Sequence, residues 1–178
     1  MDTIKIKSPV SNADIAKLRA GDKVLLSGVL YTARDAAHKR IADLMRDNKP
    51  LPLDLTGQTV YYAGPCPAPP DKAIGSCGPT TSSRMDVYAG GLIQKGIFRV
   101  MIGKGDRNGA VIDAIQQHNG LYLAAIGGAG ALISLCVKKA EIAAFADLGA
   151  EAIYKLTVQD MPLIVAADCK GGNLYELQ

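Results

Sequence analysis

Short apolar runs alternate with amphipathic stretches of helical period along most of the chain. This alternation is the strongest constraint on the fold. Strands joined through helices run parallel, and a parallel sheet needs cover on both faces. "KVLLSGVLYTA" (23–33), "TVYYAG" (59–64), "IFRVMIG" (97–103) and "LYLAAIGG" (121–128) read as strands. Between them lie helical patterns at 32–48, 83–96 and 108–120. In the first, Thr32 and Asp35 stand at capping-box spacing, and Ala37, Ile41, Leu44 and Met45 recur at helical intervals. The five prolines between Pro65 and Pro79 make that segment a loop. Residues 131–149 read as one apolar helix, 152–158 and 162–168 as two strands, and 169–177 as a turn with a terminal strand. "MDTIKIKSPV" reads as an opening strand, not as a secretory leader. The expectation is a single α/β domain over residues 1–178.

Composition narrows the function. A net charge of +3 without a basic run, no Trp and only two Phe argue against nucleic-acid binding, which needs a cationic surface and stacking platforms. No uninterrupted apolar run approaches the roughly 18 residues of a membrane span, so a soluble, cytoplasmic protein is expected. Cys66, Cys77, Cys136 and Cys169 contain no C-x-x-C pair and are accompanied by only two histidines, so a structural zinc site is not expected. They read as ordinary reduced thiols, with a Cys66–Cys77 disulfide across the proline-rich loop as the main exception.

Three strand-to-helix junctions carry cations. In "GPTTSSRMD" (78–86), a helix start at Pro79 would offer free N–H groups and partial positive charge. The hydroxyls of Thr80, Thr81, Ser82 and Ser83 could meet an oxygen-rich ligand, and Arg84 supplies a planar fork for a carboxylate. A simple helix cap would need only one of those hydroxyls. In "IGKGDRNG" (102–109), the glycines do not have dinucleotide spacing, and no acid follows at the end of the next strand, which removes the nucleotide reading. Lys104 remains as a cation at the rim of a sheet. In "YTARDAAHKR" (31–40), Arg34 opens a helix whose dipole would favour an acid there, and His38 follows one turn later. Open α/β sheets bind ligands at such junctions, and three cations there fit a dicarboxylate. No nucleophile–base spacing or paired carboxylates accompany them, so the chain reads as half of an active site.

The segments "YTARDAAHKR", "YYAGP", "GPTTSSRMD", "MIGKGD" and "EAIYKLTVQDMPLIVAAD" occur in the order found in the β subunit, or C-terminal domain, of class I iron–sulfur hydro-lyases, and the chain resembles that family over about residues 10–176. The family contains oxygen-sensitive fumarases and L(+)-tartrate dehydratases. The resemblance implies a swivelling β/α/β domain with a mixed central sheet flanked by helices. It implies an α subunit that carries a 4Fe–4S cluster on its own cysteines, in an α2β2 assembly, with none of the cluster held by this chain. It also implies that Arg34, Arg84 and Lys104 bind the dicarboxylate, that Thr80 handles the proton at carbon with Lys104 assisting, and that Thr81 and His38 support them. Ser82-Ser83 and Asp106 depart from the family's Ala-Gly and Asn. They raise two expectations: hydroxyls favouring a diol substrate, and a weakened Lys104. The implied activity is reversible hydration of fumarate to (S)-malate, with L(+)-tartrate dehydration as the alternative. A non-catalytic anion-binding module is the rival of another class.

Overall fold

The structure, a computed structural model, describes residues 3–176. Its strands are β1 (Ile4–Ser8), β2 (Lys23–Thr32), β3 (Thr59–Tyr61), β4 (Val100–Gly103), β5 (Leu121–Ala124), β6 (Val137–Ala144) and β7 (Ile153–Ala167). The helices are α1 (Asn12–Lys17), α2 (Asp35–Arg46), α3 (Asp86–Gln94), α4 (Gly109–Gln117) and α5 (Gly130–Cys136), with 3₁₀ segments at Ser82–Met85 and Ala146–Glu151. The strands form one mixed sheet in the order β1-β2-β3-β4-β5-β7-β6. The α/β expectation therefore holds. Neighbours from β1 to β5 are parallel, while β7 runs antiparallel to both β5 and β2. Because β7 pairs with both, the hydrogen bonds close β2, β3, β4, β5 and β7 into a ring.

The period-two alternation of strand side chains divides the core. Tyr61, Val100, Ile102, Leu121 and Leu123 pack on one face with Leu26, Leu30, Leu156 and Val165, joined by Ile15 of α1 and Ile133 of α5. Val60, Met101 and Tyr122 point the other way and meet α2, α3 and α4 through Ile41, Met85, Leu92 and Ile115. Both faces of β3 and β4 are buried, as a parallel sheet requires.

Four sequence readings change. The helix expected over 131–149 stops at Cys136, and Val137–Ala144 forms β6 because its backbone pairs with Ile153–Val158 of β7. The two strands expected at 152–158 and 162–168 are one. Asp160, with φ 49°, bends β7 where its register on β2 shifts, and its N–H donates to Ser27 Oγ at 2.9 Å. The terminal strand is instead a turn with a single bridge between Ala167 and Asn173, as far as residue 176; position 177, like positions 1 and 2 of the opening strand, lies outside the described residues. Thr32 does not cap α2: Arg34 is the N-cap, and Thr32 Oγ1 instead bonds Ala152 O and Tyr154 N–H at 3.4 and 3.1 Å, tying β2 to β7.

Among the described residues, no helix is long and apolar enough to cross a membrane.

Candidate functional site

The C-terminal ends of β2, β3, β4 and β5 lie at one end of the sheet, because those strands are parallel neighbours. β3 and β4 stay paired as far as Tyr62, whose N–H reaches Ile102 O at 2.8 Å. Beyond it they part, and Thr80 and Thr81 enter the gap, just ahead of the 3₁₀ turn that begins at Ser82. Thr80 N–H donates to Tyr62 O (2.6 Å), Lys104 N–H to Thr80 O (3.3 Å) and Ser82 N–H to Lys104 O (2.8 Å). Thr81 and Lys104 pair as a parallel bridge. Backbone bonds thus fix Thr80 and Thr81 beside Lys104, although 24 positions separate Thr80 from the lysine. Gly103 is glycine for a packing reason: a Cβ there would collide with Ser82 Oγ and with the Tyr62 ring. The Lys104 side chain runs along the loop after β5, its Cδ 3.6 Å from where a Cβ on Gly127 would stand.

Arg34 enters from β2. Its Nε is 3.8 Å from Asp35 Oδ2 and its Nη2 is 3.5 Å from Glu151 Oε1. Its Nη1 lies against Gly64, just past β3, where a Cβ would come within 3.0 Å of Nη1 and 2.9 Å of Ala150 O. Arg34 Nε is buried without a hydrogen-bond partner. Arg84 reaches the same place from the 3₁₀ turn. Its Nε and Nη2 donate to Asp35 Oδ1 and Oδ2 at 3.0 and 2.7 Å. Contacts therefore run from Arg84 to Asp35, Arg34 and Gly64, and from Tyr62 to Thr80 and Lys104. The carboxylates of Asp35 and Glu151 face the two arginines, and none of these ion pairs includes Lys104.

His38 stands apart. It is fully buried, its Nδ1 2.9 Å from Arg34 O, which also accepts the His38 backbone N–H at 2.8 Å. The ring packs edge-on to Tyr62 at 5.3 Å and against Tyr88 and Phe98. Burial pushes its pKa down to about 4, so the ring is neutral at pH 7 and its Nδ1–H is the donor that holds the Arg34 carbonyl.

Beneath Thr80–Ser82 lies a buried ion pair that sequence reasoning missed. Arg107 Nε donates to Asp86 Oδ1 at 2.6 Å, with the two side chains 0% and 5% exposed. The guanidinium stacks between the rings of Tyr62 and Tyr122 at 5.3 and 5.0 Å, and Asp86 Oδ2 also accepts Asn108 N–H at 2.8 Å. The Tyr122 hydroxyl lies 2.9 Å from Ser82 Oγ and 2.6 Å from Gly105 O. The network ties the start of α3 and the loop after β4 to the segment carrying Thr80. In the sequence, Arg107 sits among polar residues and glycines and resembles a surface charge, and nothing local pairs it with Asp86, 21 positions earlier. The one signal for a shared pocket is that Tyr62 and Tyr122 both follow apolar strand residues.

Other local readings are corrected. Pro79 does not open a helix; helical structure starts at Ser82, and no side chain of Thr81 caps it. Ser82 is buried with its hydroxyl at Tyr122, so it does not face a ligand as the diol reading requires. Asp106 Oδ1 accepts the Arg107 backbone N–H at 2.7 Å, and among the described residues it forms no ion pair with Lys104. All four cysteines are free, and burial raises the Cys77 thiol to about 12. Among the described residues, no three His, Cys, Asp or Glu side chains are grouped to hold a metal.

A family model described as Fumarase C-terminus matches residues 1–178. Fumarate hydratase 2 of Leishmania major is 37% identical over 97% of this chain and 31% of its own length. The aerobic class I fumarate hydratase of Escherichia coli K12 is 35% identical over 92% of this chain and 30% of its own. A putative L(+)-tartrate dehydratase subunit beta of Methanocaldococcus jannaschii is 37% identical over 94% of this chain and 88% of its own. The chain thus spans about a third of the length of the fumarate hydratases it matches.

Proposed function

The chain belongs to the Fumarase C-terminus family, and from that membership we propose that it is the β part of a class I fumarate hydratase, catalysing the reversible hydration of fumarate to (S)-malate together with an α part. The observation that carries this reading is that Arg34 and Arg84 share Asp35 while Thr80 and Lys104 are paired through the backbone, both groups just past strand ends on the same side of the sheet. The similarity of this chain to a putative β subunit over 88% of that protein's length supports a separate α chain, with α2β2 as the proposed assembly. The cytoplasm is the proposed location. In this proposal a 4Fe–4S cluster is carried by the α part, as the family resemblance implies.

In this proposal Arg34, Arg84 and Lys104 bind carboxylate oxygens through charge-assisted hydrogen bonds. Thr80 delivers the proton to the substrate carbon on hydration and takes it back on dehydration. A free hydroxyl is a weak base, and the ammonium of Lys104 would lower the cost of its alkoxide. Thr81 holds the strand register against Lys104, and His38 holds the Arg34 carbonyl. In this proposal the α part supplies the remaining contacts to the second carboxylate.

L(+)-tartrate dehydration is the second reading, favoured by the similarity to the Methanocaldococcus jannaschii protein over nearly its whole length. The test is the co-purified complex with its cluster restored, assayed on fumarate, (S)-malate and L(+)-tartrate. A kcat/KM for fumarate at least tenfold above that for tartrate supports the first reading, the reverse order selects the second, and tight dicarboxylate binding without turnover leaves an anion-binding module.

A further inference from the structure

We propose that Asp35 is the positioning residue that joins Arg34 and Arg84 into one carboxylate clamp; the proposal rests on the site reading above and deepens it. Asp35 takes Arg84 by its Nε and Nη2, which occupies one edge of the guanidinium and leaves the Nη1–Nη2 edge free for a ligand. The same carboxylate stands 3.8 Å from Arg34 Nε, a buried donor without a hydrogen-bond partner. One anion thus lies between both cations. Arg84 is half exposed, and a long side chain in that setting samples many rotamers unless something holds it. Asp35 is itself well held. It is the first residue of α2, and the next backbone N–H, of Ala36, donates to Glu151 Oε2 at 2.9 Å. A favourable helix dipole would explain an acid at this position, but not a two-bond contact with an arginine 49 residues away.

The experiment measures succinate, an unreactive four-carbon dianion, binding to the assembled complex by calorimetry, alongside kcat/KM. The variants are Asp35→Asn, Asp35→Glu, Arg84→Lys and the Asp35→Asn/Arg84→Lys double. We expect Asp35→Asn to weaken succinate binding tenfold or more. Asp35→Glu restores the charge at the helix start but not the span, so it should also weaken binding; full recovery with Glu would assign Asp35 to helix stability and overturn the proposal. Lysine cannot make the two-bond pair, so the double variant should bind no worse than Arg84→Lys alone. Losses that multiply in the double, or an Asp35→Asn affinity within twofold of the parent, also overturn it. If Arg84→Lys itself leaves binding and kcat/KM unchanged, the site reading fails. If Arg84→Lys is damaging while Asp35→Asn is silent, only the positioning role fails.

Discussion

Replacing Asp86 with alanine should cost more stability than removing any surface ion pair of this chain. Arg107 is fully enclosed, with Asp86 Oδ1 at 2.6 Å as its carboxylate partner. Its other neighbours are the Tyr62 hydroxyl and Met101 sulfur, both at 3.5 Å, and two aromatic rings. Removing the acid leaves a buried guanidinium without a counter-charge, which costs about 3–5 kcal/mol. The Asn108 N–H loses its acceptor as well, adding about 1 kcal/mol. With a urea slope of about 2.5 kcal/mol per molar, the unfolding midpoint of the complex or of the chain alone should fall by about 1.6–2.4 M at unchanged slope. Asp86→Asn, which can still accept from Asn108, should fall by less. Exchanging both Arg107 and Asp86 for apolar residues of similar volume should recover most of the loss. The assay is urea unfolding followed by circular dichroism. An Asp86→Ala midpoint within about 0.3 M of the parent, below roughly 1 kcal/mol, would refute the claim that this pair is buried and mutually dependent.

Two further outcomes follow from the same geometry. The folded pKa of His38, about 4, lies below the ordinary histidine value of 6.5, so the unfolded chain binds the extra proton first. Its contribution to stability is therefore full above pH 6.5 and declines as pH falls towards 4, by about 3 kcal/mol in all. His38→Gln should flatten that slope in pH-dependent unfolding; an unchanged slope would mean the ring protonates in place. Gly64→Ala would press a methyl group onto Arg34 Nη1 and Ala150 O. It should destabilise by about 1–3 kcal/mol and raise KM, as read from melting curves and steady-state kinetics; a parent-like KM would detach Gly64 from the site.

Local pattern revealed those parts of the fold that local pattern determines. The continuous apolar runs of β4 and β5 and the helical spacing in α2 follow from burial on a two-faced sheet, and burial leaves a mark on each residue. β6 left no such mark. Its Lys138, Lys139 and Glu141 are exposed, and it is a strand because β7 supplies hydrogen bonds from residues 153–158. β7 bends at Asp160, where its register on β2 shifts, and no side-chain period encodes that bend. At the site, Arg34, Arg84 and Lys104 were visible because each marks a strand-to-helix junction. The Asp35–Arg84 and Asp86–Arg107 pairs were not, since each joins residues many positions apart that look locally like solvated charges. The inward turn of Ser82 was hidden for a related reason. It depends on a vacancy at Gly103 and a hydroxyl on Tyr122, both distant in sequence.

The central claim is that Arg84, brought beside Arg34 at the end of the sheet, grips a carboxylate of the substrate. The most direct measurement is kcat/KM for Arg84→Ala in the cluster-loaded complex, with its melting temperature recorded in parallel. Arg84 is half exposed in its pair with Asp35, so its removal should leave stability nearly unchanged. Losing two charge-assisted bonds to the substrate, about 3 kcal/mol, should lower kcat/KM a hundredfold or more. A variant that turns over fumarate at a near-parental kcat/KM would contradict the account.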